Sequence, residues 1–209
     1  MKKLLILIIL GLSLIINNCK DKDEIIRHVD PELKAWGLYQ KGTWWVYEEE
    51  KTKNIDSFWV DSVDFKYLYD DNFNKKKWED IYCYFRSENI YEDYAFVISS
   101  YGKNVQLFRF KNFIPINSEN STLLNLPLKT GQRFASCDAF KWSEIDTIFN
   151  LLNVFGINFE NVVKVYDMCN RAYKNQPTYF YTAKNIGIIR KEFPDINQIW
   201  NLKRFKIIQ

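Results

Sequence analysis

Residues 94–110 read Tyr-Ala-Phe-Val-Ile-Ser-Ser-Tyr-Gly-Lys-Asn-Val-Gln-Leu-Phe-Arg-Phe, two runs of β-forming residues around a short turn. The turn, residues 101–104, contains Gly102 and Asn104, which are residue types that adopt turn conformations readily. Strand-forming runs on either side of such a turn are typical of a β-hairpin. This stretch therefore predicts two antiparallel strands in the middle of the chain.

The same pattern continues on both sides of the hairpin, from about residue 41 to the C-terminus. Within residues 63–69, Val63, Phe65, Tyr67 and Tyr69 share one face of a strand, as alternation with a period of two requires. Only residues 31–39 are weakly helical. Further strand signals lie at residues 43–47, 58–60, 78–87, 133–140, 146–151, 161–166, 178–183, 185–193 and 199–207.

These signals predict an all-β fold with about ten antiparallel strands in a single domain. A sheet of this size must curl or fold over to hide one face and its edges. The short connections favour up-and-down order, so we expect a strongly curved sheet, a half-barrel or a barrel rather than a Greek-key sandwich. Residues 114–132, which contain Pro115, Pro127 and Gly131, are expected to form a long loop or a crossing connection.

The N-terminus has the pattern of a targeting segment. Residues 4–16 are all Leu or Ile except Gly11 and Ser13, and they follow Met1-Lys2-Lys3. As a helix they would reach only about 20 Å, which is short for a hydrocarbon core of about 30 Å. This length favours the apolar part of a signal peptide over a permanent membrane span.

The next residues, Ile16-Asn17-Asn18-Cys19, resemble the cleavage site of bacterial lipoprotein precursors, although Asn17 and Asn18 replace the usual small residues. The resemblance implies cleavage before Cys19 and lipid on its thiol. Two or three acyl chains hold a protein durably at a membrane. An uncleaved membrane anchor and an unmodified Cys19 are the alternatives.

Three segments follow from this interpretation: a signal peptide at residues 1–18, a charged tether at 19–30 and the β domain at 31–209. Residues 20–24, Lys-Asp-Lys-Asp-Glu, resemble the export signal that sends lipoproteins of the Bacteroidetes type to the cell surface. A plain solvated tether is the alternative. We expect an outer-membrane lipoprotein, on either the periplasmic face or the cell surface.

Several strings, in their order along the chain, resemble a set of small, poorly characterised Bacteroidetes-type lipoproteins. They lie at residues 39–47 (Tyr-Gln-Lys-Gly-Thr-Trp-Trp-Val-Tyr), 61–63, 159–165, 179–191 and 200–202. The resemblance implies an antiparallel β domain on a lipid tether, with no established chemistry. In that group Asp61-Ser62-Val63 and Asp146-Thr147-Ile148 would be sites of O-glycosylation, and the alternative is that they are ordinary strand residues.

Charge and cysteine content exclude several classes of function. The formal net charge is only +3, which predicts no nucleic-acid partner. Beyond Cys19 the chain has Cys83, Cys137 and Cys169, with none of the spacings of a zinc site. We expect buried, unpaired cysteines, and one disulfide is the alternative.

No constellation of catalytic or metal-binding residues is evident. The only histidine, His28, lies in the predicted tether, so a Ser/His or Cys/His nucleophile has no imidazole. The alternating oxygens in residues 70–74 are followed by lysines, which favours a polar turn over a calcium loop. We therefore predict no cofactor, no metal and no enzymatic activity. A hydrolase that works through a carboxylate pair such as Glu144 and Asp146 is the alternative, because its chemistry needs no histidine.

Aromatic residues make up 17% of the chain. We expect a membrane-anchored, non-enzymatic binding module whose concave face holds an apolar or sugar ligand, or a strand or loop of a partner protein. A lipid carrier or assembly factor with an apolar groove is a second hypothesis, and aromatics that only stabilise the sheet are the structural alternative. Because neighbours on a strand face opposite sides, one residue of the Trp44-Trp45 pair should leave the core. The candidate ligand-contact residues are Trp44, Trp45, Trp59, Tyr67 and Trp200.

Overall fold

The computed structural model describes residues 25–69, 76–87, 93–111, 114–135, 142–170 and 176–209. The signal peptide with Cys19, the polar turn at residues 70–74 and Cys137 lie outside the described residues. The described residues are mostly strand, with one α-helix, α1 (Pro31–Gly37), and one 3-10 turn (Pro194–Ile196). The all-β fold and the short N-terminal helix that were predicted from the sequence are therefore confirmed.

The described part of the chain forms a single sheet of thirteen strands. They are β1 (Ile25–Arg27), β2 (Trp44–Glu49), β3 (Ile55–Tyr69), β4 (Lys76–Ser87), β5 (Asp93–Ser99), β6 (Asn104–Lys111), β7 (Ile114–Asn125), β8 (Arg133–Ala135), β9 (Trp142–Val154), β10 (Ile157–Asn170), β11 (Gln176–Ala183), β12 (Gly187–Phe193) and β13 (Gln198–Lys206).

Strand order is up-and-down. Strands β2 to β7 each pair with the next along the chain, and so do strands β8 to β13. The two runs are joined where β2 pairs with β13. At the other extreme β7 lies against β9 and β10, so the sheet curls into a nearly closed barrel. All pairings are antiparallel except that of β1, which lies parallel to the first residues of β4.

The hairpin predicted at residues 94–110 is formed by β5 and β6. Phe96 lies opposite Leu107 and Ile98 lies opposite Val105, and all four side chains are buried. Lys103 in the turn has a positive φ of 50°. Strong β-formers around a turn thus gave a correct prediction of the two antiparallel strands.

The predicted number of strands was too low, because two strands escape the hydrophobic pattern. The expectation of a loop at residues 114–132 was wrong over β7, which pairs with β6 through its backbone. Its Pro115 is tolerated because β7 ends the path of strands and needs hydrogen bonds on one side only. The other is β1, three residues within the stretch that was predicted as tether.

Helix α1 begins where its sequence provides a cap. The Asp30 side chain accepts a hydrogen bond from the backbone N–H of Glu32 at 2.8 Å, which satisfies one otherwise unpaired donor of the first turn. Pro31 occupies the first helical position, where its missing N–H is harmless. Leu33 and Trp36 are buried and turn one face of α1 towards the core.

Helix α1 closes one end of the barrel. At Gly37 a Cβ atom would lie 3.0 Å from both Ile98 and Val105, so the helix packs closely against the β5–β6 hairpin. On the opposite wall the Asn185 N–H donates to the Ala35 carbonyl at 2.7 Å. Because α1 spans from β5 and β6 to the β11–β12 turn, the interior is covered at this end.

Candidate ligand cavity inside the barrel

The inner wall of the barrel is built by alternation along β2, β3 and β12. Trp45 and Tyr47 point inward from β2, and they lie opposite Phe58 and Asp56 of β3. Lys191 of β12 shares this inner face, because its register partner on β11 is the fully buried Phe180. Three strands thus bring aromatic rings, one acid and one amine to the same interior.

These side chains surround a small cavity of about 40 Å³. That volume has room for only a few water molecules. Most of the lining consists of aromatic and aliphatic side chains, and the amine of Lys191 is the single cation among them. The lining residues are Trp45, Tyr47, Phe58, Phe85, Tyr94, Phe96, Leu107, Ile188 and Lys191.

The polar atoms of two lining rings are bonded to the wall. The indole N–H of Trp45 donates to the Ile186 carbonyl at 2.7 Å, and the hydroxyl of Tyr47 donates to the Ile188 carbonyl at 2.6 Å. Edge-to-face contacts of Trp45 with Tyr39 and Phe85 fix the ring further. What these residues present to the cavity is therefore their apolar surface.

Lys191 is the unusual residue of this interior, since only 4% of its surface is exposed. Its Nζ lies 4.5 Å from the ring centre of Tyr47, 4.7 Å from that of Phe58 and 5.9 Å from that of Trp200. Aromatic ring faces attract a cation at such distances. Burial nevertheless lowers the pKa of Lys191 from its ordinary value of 10.5 to about 8.

Asp56 is the acid that acts on Lys191. Its negative charge opposes the fall in the pKa of Lys191, and it adds to the effect of burial in raising the pKa of Tyr47. The carboxylate is itself buried and accepts a hydrogen bond from the Ser87 hydroxyl at 2.8 Å. A cation, a carboxylate and ring faces thus meet inside a barrel that has α1 over its opposite end.

The structure divides the five predicted ligand-contact residues among three places. Trp45 lines the cavity, and Trp200 is half-buried beside Lys191. Trp44 and Trp59 are register partners on the opposite face of the sheet. Tyr67 is exposed near the end of β3, far along that strand from Phe58. One of the two adjacent tryptophans does leave the core, as alternation predicted.

Lys191 was missed by the sequence analysis. The available signal is its position in β12, where period two places it in phase with Ile189 and Phe193, both buried. A lysine at an inward position among apolar residues indicates a buried amine. The burial of Lys191 was not predicted because Arg190 and Glu192 flank it, and three charged residues in a row suggest a solvated strand end.

The acids considered for a hydrolase do not form an isolated pair. Glu144 is bonded to Arg133 at 2.5 Å, and Asp146 is 2.9 Å from the Nζ of Lys164. Over the residues that the structure describes, no cluster of three or more His, Cys, Asp or Glu side chains could hold a metal ion.

The described histidine and cysteine side chains lie apart from the cavity. His28 is an exposed residue whose Nδ1 is 3.5 Å from the Glu79 carboxylate. Cys83 is a free, buried cysteine whose thiol donates to the Tyr39 carbonyl, and burial raises the pKa of this thiol to about 12. Such a thiol is almost entirely protonated at neutral pH and is therefore a poor nucleophile.

Comparison of the chain with family models, curated proteins and solved structures finds no match. Within the described ranges, no helix is long and apolar enough to cross a membrane. Functional inference therefore depends on the residues and geometry of this chain.

Proposed function

We propose that this protein is a lipid-anchored, non-enzymatic binding module of the bacterial cell envelope, whose barrel interior takes the acid group of a small apolar ligand. The observation that carries the proposal is Lys191, a buried amine in an otherwise apolar, aromatic-lined cavity. Lys191 brings a positive charge into this apolar lining, so the cavity can attract an acidic group as well as pack on an apolar one.

The chemistry of the cavity suits an acid with an apolar body. With a pKa of about 8, Lys191 is protonated in about nine molecules of ten at pH 7. Its attraction for a carboxylate is stronger in this water-poor interior than in solvent. The ring faces of Trp45, Tyr47 and Phe58 would pack on the apolar part of the same ligand.

The competing hypotheses have less support. A lipid carrier needs a continuous apolar groove, whereas this cavity is small and contains a cation. A carboxylate-based hydrolase needs two cooperating acids, and Glu144 and Asp146 each face a basic partner. A sugar-stacking surface would need the predicted aromatic residues together, whereas Trp44 and Trp59 lie on the opposite face of the sheet from Trp45.

A direct test is to titrate the membrane-extracted protein with a short acid that suits the small cavity, propanoic acid, and with the matched alcohol, propan-1-ol. We expect the acid to bind about tenfold to a hundredfold more tightly, since a charge-assisted hydrogen bond contributes about 1.5–3 kcal/mol. Trp45 and Trp200 report binding by fluorescence. Replacement of Lys191→Met should abolish the preference for the acid.

Lys203→Met is the matched control, because Lys203 is exposed and its amine pairs with Glu48 away from the cavity. This variant should keep the preference of the wild type. Equal affinities for acid and alcohol in the wild type would contradict the proposal, and so would a preference that survives in Lys191→Met.

The anchor is tested separately by mass spectrometry of protein extracted from native membranes. We expect the mature chain to begin at Cys19 and to carry acyl chains. An unmodified Cys19 together with an intact Met1 would disprove lipid anchoring without affecting the ligand proposal.

A further inference from the structure

The ends of β3 and β4 extend beyond their neighbours in the sheet. The pairing of β2 with β3 stops at Trp59, and that of β5 with β4 stops at Asp80. Residues 65–69 of β3 continue to pair with β4, opposite residues 77–81, and β1 lies along residues 76–78 of β4. We call β1 together with residues 65–69 and 76–79 the arm. Over these residues the rise of about 3.4 Å per residue makes it about 17 Å long.

The arm carries an unusual share of the exposed apolar surface. Among the described residues twelve large apolar side chains are exposed, and half of them lie in the arm. They belong to both faces of β3, because adjacent strand residues alternate. Isolated exposed apolar residues are ordinary, but a cluster of this kind indicates a surface that is covered in use. The six are Ile25, Ile26, Phe65, Tyr67, Leu68 and Tyr69, which are 38% to 62% exposed.

Basic side chains accompany these apolar residues. The Nζ of Lys77 lies 4.4 Å from the ring centre of Tyr69, and the guanidinium of Arg27 lies 4.6 Å from that of Trp78. Lys66 is close to Asp64, at 3.8 Å, and to the ring of Tyr82. Tyrosines and long basic side chains with apolar stems are suited to the headgroup region of an anionic bilayer.

Over the described residues, the acidic groups near the arm are each engaged by a neighbouring group. Glu79 is buried, and its carboxylate is engaged by the Val29 N–H at 2.7 Å and by Lys34 at 3.5 Å. Asp64 is exposed but lies within ion-pair distance of Lys66. The exposed face of the arm is therefore apolar and basic in character.

The arm lies close in sequence to Cys19, and this position indicates which partner it contacts. Only five residues lie between Cys19 and Ile25, and a fully extended chain covers at most about 3.6 Å per residue. Lipid on Cys19 would therefore hold β1 within about 20 Å of the headgroups. We propose that the arm docks on the lipid surface and fixes the orientation of the barrel above it; this rests on the proposed lipid anchor.

The test uses the lipidated protein reconstituted in vesicles of phosphatidylethanolamine and phosphatidylglycerol. A spin label is attached at Tyr67→Cys, with Leu68→Cys as a second position on the other face of β3. Ile196→Cys is the control, since Ile196 is exposed in the turn before β13, away from the arm. Wild type treated with the same label corrects for its own cysteines.

We expect labels at positions 67 and 68 to become accessible to lipid-dissolved oxygen and protected from a water-soluble nickel chelate, and the label at 196 to show the reverse. If the protein floats with the vesicles while labels at 67 and 68 remain in water, docking is disproved and the anchor stands. If the protein does not float with the vesicles, both the lipid anchor and the docking of the arm are disproved. Dipolar broadening between labels at position 67 would assign the arm to contact between two copies and overturn the lipid proposal.

Discussion

The barrel interior and the arm both depart from the usual distribution of side chains: the interior contains a charged group, and the arm exposes apolar groups. The interior holds a buried amine, Lys191, where apolar packing is expected, and the arm exposes Tyr67 and Leu68, where polar residues are expected. Both regions belong to one continuous sheet, and β3 contributes to each. The same alternation of residues can therefore produce a core, a cavity with one buried amine or an exposed apolar surface, depending on what covers each face.

The barrel and the arm also differ in what a substitution is expected to change: the stability of the fold in the barrel, and membrane contact in the arm. Phe58, in the barrel, is packed by strands from both sides, whereas Tyr67 has only β4 and the N-terminal segment beside it. A substitution in the barrel should therefore act on folding, and one in the arm should act on membrane contact alone. Free-energy measurements can test this contrast at matched pairs of residues.

The largest expected effect is at Trp45. Replacement Trp45→Ala should lower the free energy of unfolding by about 3–5 kcal/mol, because a buried ring is lost and a cavity is left. Trp44→Ala, at the adjacent position on the other face, should cost only about 1 kcal/mol. Urea unfolding followed by circular dichroism measures both, and equal losses would contradict the assignment of Trp45 to the interior.

Next in size is the effect of Lys191→Met, which should raise the free energy of unfolding at pH 7 by about 1–3 kcal/mol. The reason is that burial lowers the pKa of Lys191 even with Asp56 opposing the shift, so the folded protein holds the charged amine less favourably than the unfolded chain does. Lys164→Met is a suitable control, since Lys164 lies on the opposite face and is paired with Asp146. Loss of stability in Lys191→Met would show that the amine is a structural element rather than a ligand-binding one.

The same residue predicts a dependence on pH. Because the pKa of Lys191 is about 8 in the folded protein and near 10.5 in the unfolded chain, the unfolded state holds more protons between these values. Stability of the wild type relative to Lys191→Met should therefore rise by about 3 kcal/mol from pH 8 to pH 10.5. Parallel denaturation curves at several pH values give this difference, and a constant gap would refute the shifted pKa.

The smallest effect is expected in the arm. Leu68→Ser should change the free energy of unfolding by less than about 0.5 kcal/mol, because the side chain is already exposed. Urea denaturation of the two proteins side by side provides the measurement. A loss of several kcal/mol would mean that Leu68 is covered in the folded protein, which contradicts the description of the arm.

How far the sequence predicted the fold depended on where side chains alternate strongly. The hairpin at residues 94–110 and the helix near residues 31–39 were predictable because their patterns and caps are local. Strand β7 was not predictable, because it pairs through its backbone although its side chains are mostly polar. The nearly closed barrel was predicted only as one of several alternatives, since closure depends on β2 pairing with β13 and on β7 lying against β9 and β10, contacts that no local pattern encodes.

The candidate site was predictable only in part. Aromatic content pointed to Trp45 and Trp200, which do border Lys191, but it also pointed to Trp44 and Trp59 on the other face. The sequence alone does not say which face of a strand becomes the interior. Lys191 is defined as a site by its surroundings, which come from β2, β3 and β13 and are distant in sequence.

The most direct test of the account is an NMR titration of the Lys191 side chain, with Lys191→Met used to assign its signal. We predict a pKa of about 8 for the protein alone, and a rise towards the ordinary value when propanoic acid binds, since a carboxylate favours the charged amine. Propan-1-ol should leave the pKa unchanged. A pKa near 10.5 in the unliganded protein, or one that does not respond to the acid, would contradict the proposed binding site.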